Sequence, residues 1–217
     1  MSGRAAFAVV ENESLRADTA DGRTGKGRPP MTERRKAILR LEIAREAVKL
    51  FLGQGVAATS GEQIADAVGI SARTLWRYFP TKESCVQPLL AEGIDTFTEK
   101  LRSWPAGVPL LDHLRTEYAN AADTTTAADT ASRINLVRMC REEPGLRSVW
   151  LQTHHQAEPV FAQVLAEHLD LPADALEVRI HAGVLNAALR IAAEDQADGR
   201  TTGLTETIRT VTSGLRF

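Results

Sequence analysis

Residues 59–83 read TSGEQIADAVGISARTLWRYFPTKE, and the side chains with the most chemistry to offer are gathered there. Arg73 and Thr74 fall in the first turn of a short predicted helix, the part that meets base edges when a helix enters a major groove. A guanidinium can grip guanine through two hydrogen bonds, and a threonine methyl can meet a thymine methyl. Arg73 is nearly as well suited to a phosphate. Lys82 stands where a fourth helix begins, so an ammonium and free backbone N–H groups share one positive helix end, a suitable phosphate clamp. Outside this stretch, His154 and Glu158 are four apart and could ligate a metal, with His181 as a conceivable third ligand. No H-E-x-x-H pattern occurs, so no metal is expected. His154 and His155 have no recognisable set of acids, bases or nucleophiles around them, which argues against an enzyme and against a cofactor.

The elements that must position these groups are legible from apolar spacing and caps. Ile38, Leu41, Ala44, Val48 and Phe51 mark one face of a first helix, opened by Thr32 as N-cap and closed at Gly53 or Gly55. Ser60-Gly61-Glu62-Gln63 has the form of a capping box, and a short helix follows with Ile64, Ala65 and Val68 facing inward. Gly69 supplies a left-handed turn, Ser71 caps the helix over 72–79, and Pro80 ends it. Two short capped helices around a glycine turn, after a longer helix, form a helix-turn-helix. Leu75 and Phe79, four apart, are its core candidates, while Trp76, Arg77 and Tyr78 spread over different faces and Trp76 suits either core or surface. A fourth helix is expected from Thr81 to Arg102, where Trp104-Pro105 interrupts it.

The elements Thr59-Ser60, Ile64-Ala65, Gly69-Ile70-Ser71, Leu75-Trp76-Arg77-Tyr78-Phe79 and Lys82-Glu83 closely resemble the DNA-binding signature of the TetR family. The resemblance implies a helix-turn-helix regulator that binds double-stranded operator DNA as a homodimer and senses a small molecule in a helical domain behind it. Carried over position by position, it places Ser60 on a phosphate, and Trp76, Arg77 and Tyr78 on the backbone or on base edges. Ser71, Arg73, Thr74 and Lys82 complete the expected DNA-binding set.

Beyond residue 102, helices are expected at about 109–124, 127–142, 144–168, 174–194 and 204–216, separated by Pro144-Gly145, Leu171-Pro172 and Asp198-Gly199. Large side chains on them suit a ligand pocket, which the resemblance implies, and plain core packing equally. Phe97, Tyr118, Trp150 and His154 are the ligand-binding candidates. Leu176, Ile180, Val184, Ala187 and Ile191, beside Gly183 and Ala188, form one stripe, and Leu204, Ile208, Val211 and Leu215 form another. By resemblance these are the dimer interface, and the alternative is packing within one chain.

The composition agrees with this reading. With 217 residues, 43% hydrophobic and only 5% aromatic, the chain suits helices packed on helices, an all-α fold. The resemblance implies its division into an N-terminal three-helix DNA-binding domain over 32–83 and a helical ligand-binding and dimerisation domain over 84–217. The net charge of −2 hides an asymmetry: residues 1–83 carry 14 Lys/Arg against 10 Asp/Glu, and the remainder 12 against 18. A basic front on an acidic body suits a polyanion partner for the front. Residues 1–31 read as a disordered basic arm, with seven basic residues against one acidic over 23–40, able to lie along DNA or simply to aid solubility. Two distant cysteines fit a reducing cytoplasm, and the apolar run 5–10 is too short for a signal peptide core or a membrane span.

Overall fold

The structure is a computed structural model and describes residues 32–121, 127–200 and 202–212. The arm expected over 1–31 and Leu215 of the last stripe lie outside the described residues. All described regular structure is helical: α1 Glu33–Gln54, α2 Gly61–Ala67, α3 Ala72–Tyr78, a 3-10 turn Glu83–Val86, α4 Gln87–Arg102, α5 Leu110–Ala121, α6 Ala127–Glu142, α7 Pro144–Leu169, α8 Leu176–Ala197 and α9 Leu204–Thr212. Among these, no helix is long and apolar enough to cross a membrane.

Local sequence accounts for most boundaries. The Ser60 hydroxyl accepts from the Gln63 N–H while the Gln63 side chain accepts from the Ser60 N–H, completing the capping box. Ser71 caps α3 through the Thr74 N–H. Gly69 has φ +68°, as its turn requires, and Gly55 stops α1 at φ +86°. Thr32 occupies the N-cap of α1 but its side chain makes no capping bond, so Lys36 closes that turn through the Thr32 carbonyl alone. The fourth helix begins later than expected. Pro88 lacks the N–H that would reach back to Ser84, so the segment after Lys82 opens as a 3-10 turn and turns α-helical only at Gln87.

Two apolar cores hold the chain. The first joins Ile43, Val48 and Phe51 of α1, Ile64 of α2, Leu75 of α3 and Phe79 to Cys85, Val86 and Leu90, and on to Leu136 and Cys140 of α6 and Leu146 and Trp150 of α7. It runs across position 83, so the helix-turn-helix has no core separate from the helices behind it. The second core packs Phe97 and Leu101 of α4 against Phe161 and Leu165 of α7, Val178 and Leu185 of α8, and Ile208 of α9. The described residues form one compact unit.

Candidate DNA-reading surface and ligand cavity

The helix-turn-helix sorts its side chains cleanly. Leu75 and Phe79 are fully buried, while Arg73 and Arg77 are exposed and Thr74 and Tyr78 half-buried. Trp76 is 41% exposed: one side of its indole lies on Gly61, where an added Cβ would sit 2.0 Å from the ring, and the other faces solvent. Arg77 lies over the Tyr78 ring at 5.2 Å, and the Thr74 hydroxyl is held by Ser71 at 2.9 Å. These groups form one polar, cationic face on α3, and Ser60 stands at the start of the neighbouring α2. Lys82 departs from expectation. Its ammonium donates to the carbonyls of Val56 at 2.6 Å and Thr59 at 2.9 Å, so two of its three donors hold the α1–α2 loop rather than facing outward.

Behind the helix-turn-helix lies a cavity of about 680 Å³, walled by α4, α6 and α8 with Tyr118 of α5 and Trp150 of α7. Its walls are mainly aliphatic, including Leu89, Leu90, Ile134, Val137 and Leu189. Of the four expected ligand contacts, Tyr118 and Trp150 line it. Phe97 does not: it is fully buried in the second core, edge-on to Phe161 with ring centroids 5.3 Å apart. His154 sits one turn beyond Trp150, its ring 4.1 Å from the indole, and is absent from the wall. Its Nδ1 bonds Asn186 Oδ1 at 2.7 Å, and Asn186 donates in turn to the His154 carbonyl and to Glu158. Trp150 Nε1 donates to Glu194, which also holds Arg190. Burial pushes Tyr118 up to about 12 and keeps its phenol protonated. Among the described residues no cluster of three metal-binding side chains occurs.

The sequence signature described as bacterial regulatory proteins of the tetR family matches residues 43–89, and that of the MftR C-terminal domain matches 108–216. The HTH-type transcriptional regulator TcmR of Streptomyces glaucescens is 30% identical over 169 residues, 75% of this chain and 75% of that protein. The chain belongs to the TetR family of transcriptional regulators. The HTH-type transcriptional repressor KstR2 of Rhodococcus jostii (strain RHA1) is 33% identical over 86 residues, 40% of this chain and 36% of its own. Salmonella enterica GusR shares the fold, with a TM-score of 0.51 at 22% identity over 85% of this chain and 97% of that one.

Several residues that shape the reading surface of this TetR-family regulator escaped sequence reasoning. Arg40 of α1 donates to the Tyr78 carbonyl at 3.4 Å and covers the Phe79 ring at 4.7 Å, tying α1 to the end of α3. The Gln54 amide bonds Ala58, Thr59 and Gln63 together. Gly61 was legible as part of a capping box, but its second role as a seat for Trp76 depends on a crossing of α2 and α3 that no spacing rule supplies. In the cavity, Arg133 went unnoticed because one arginine on a helix reads as a solvated charge.

Proposed function

We propose that this TetR-family regulator is a cytoplasmic repressor that binds a palindromic operator as a homodimer and releases it when a small molecule fills the cavity behind the helix-turn-helix. The observation that carries this reading is the continuity of the first core. The same apolar cluster that anchors α3 through Leu75 and Phe79 includes Leu90, Leu136 and Trp150, which also wall the cavity. A molecule that displaces α4 or α6 therefore disturbs the seat of the reading helix. Arg73 and Thr74 serve base edges, Ser60, Ser71 and Arg77 the backbone, and Trp76 and Tyr78 the flanks of the groove. Lys82 acts chiefly by holding the α1–α2 loop at the level of α3. Dimerisation uses α8, where Leu176 and Ile180 stand exposed beside Gly183, over which there is open space.

Selection from a random duplex pool, followed by fluorescence anisotropy on the enriched sequence, tests this reading. The expected result is a two-half-site palindrome bound by two chains. Arg73→Ala should lose discrimination at one position per half-site by about 1–3 kcal/mol. Binding that depends on salt but enriches no sequence would overturn it.

A further inference from the structure

We infer that the cavity between α4, α6 and α8 is built for an apolar molecule bearing one anionic group, seated on Arg133. The inference rests on the reading of this cavity as the ligand site and adds the chemistry of the ligand. Among the described residues two charged side chains line the cavity, Arg133 and Arg200, and no Asp or Glu does. Arg200 is already matched, by Asp195 and by Asp198. Arg133 is half-buried and makes no hydrogen bond or ion pair with any described residue. It also lines a second groove of about 720 Å³ between α1, α4 and α6, sharing Leu89, Thr96 and Leu136 with the first; the carboxylates of that groove, Glu46 and Glu92, are paired with Lys49 and Arg45. Glu194 is not its counter-charge, because that carboxylate is turned to Trp150 and Arg190.

A partly desolvated guanidinium without an anion is costly, and an aliphatic side chain would serve the packing of this wall better. An oxyanion on the ligand removes that penalty through the planar fork of donors, which fits carboxylate and phosphate alike. Tyr118 supplies a second donor. Its side chain lines the same cavity, its hydroxyl makes no hydrogen bond with any described residue, burial pushes its pKa further up to about 12 so that it remains a donor, and it lies within the electrostatic reach of Arg133. Besides the surrounding leucine, isoleucine and valine side chains, the remainder of the ligand meets, among the described residues, only threonines, Gln196 and the ion-paired Arg200 as polar partners at the wall. A neutral apolar molecule would leave Arg133 uncompensated, and a cation would be repelled.

Calorimetric titration of the full chain with decanoate, decyl phosphate and decan-1-ol tests the inference. Decanoate or decyl phosphate should bind about tenfold or more tightly than the alcohol, the usual margin of a charge-assisted hydrogen bond. The better of the two names the anion the fork prefers. Arg133→Gln should reduce that preference to near unity and Arg133→Lys should keep part of it, while Tyr118→Phe should lower affinity for the anions alone. Arg133→Met gives the same reading if Arg133→Gln does not fold. Equal binding of all three probes by the wild-type chain, no saturable binding of any, or a folded Arg133→Gln that keeps the anion preference, each overturns the assignment. Operator release is scored separately. An anion preference without operator release upholds the site and defeats gating, whereas release by decan-1-ol as readily as by decanoate defeats the site and upholds gating.

Discussion

Asn186 decides the chemistry of His154. Its amide nitrogen donates to the His154 carbonyl and to the Glu158 carboxylate, both acceptors only, so its oxygen must face the ring and accept from Nδ1–H. Nε2 is then the lone-pair nitrogen, and it is buried without a partner among the described residues. Burial, the largest influence, lowers the His154 pKa from the ordinary 6.5, against the opposing pull of the Asn186 hydrogen bond. A base whose folded pKa is depressed takes up its proton more readily in the unfolded chain. Its folded state is therefore undisturbed above the unfolded pKa and loses stability as pH falls from there toward the folded pKa. Urea midpoints should decline in the wild-type chain as pH falls below the ordinary histidine value of 6.5, and His154→Gln should flatten that decline. An unchanged slope in the variant would assign the effect to other groups. Cys85 and Cys140 show the same physics: burial raises both thiols to about 12, which leaves them inert side chains of the core.

At the scale of elements, the reading helix depends on what α2 leaves empty. Gly61 occupies the first turn of α2, and an alanine methyl there would meet Trp76 at 2.0 and 2.3 Å from two ring carbons. The indole is rigid, so it must leave its seat. Gly61→Ala should cost about 1–3 kcal/mol in urea unfolding and weaken operator binding through the displaced indole. Gly53→Ala is the control: nothing lies within 4 Å of its added methyl, and a helical alanine should leave stability equal or raise it by up to about 1 kcal/mol. If both variants behave alike, the Gly61 contact has no bearing on the surface. Lys82 belongs to the same scale, since its bonds to Val56 and Thr59 clasp the loop before α2 from the turn after α3.

For the molecule as a whole, the two stripes read as one dimer interface have separate fates. On α8, Leu176 is 70% exposed, Ile180 53% and Ile191 41%, whereas Ile208 of α9 is fully buried in its own chain. Ile180→Asp should therefore give a folded monomer by light scattering, with a melting temperature close to wild type when extrapolated to low concentration. Ile208→Asp places a carboxylate in the second core and should unfold the chain by several kcal/mol rather than dissociate it. A dimeric Ile180→Asp would move the interface off this part of α8. The same contrast explains why an apolar stripe alone left both readings open: spacing reports that a face is buried, and not by which chain.

The helices other than the start of α4, both serine caps, the capping box, the Gly69 turn and the burial of Leu75 and Phe79 were determined by the sequence itself, because each depends on residues within a turn or two of one another. The family was equally legible, since its signature is local and continuous. Tertiary structure alone decided the rest. Lys82 finds its carbonyls 26 and 23 residues away and Arg40 reaches a carbonyl 38 away. Phe97 turns into the second core instead of the cavity, and Arg133 is left without an ion pair among the described residues. The first two outcomes depend on how α1, α2 and α3 meet and the last two on how α4 and α6 pack against α1, α7 and α8, and side-chain periodicity carries no information about which neighbour a buried face will meet.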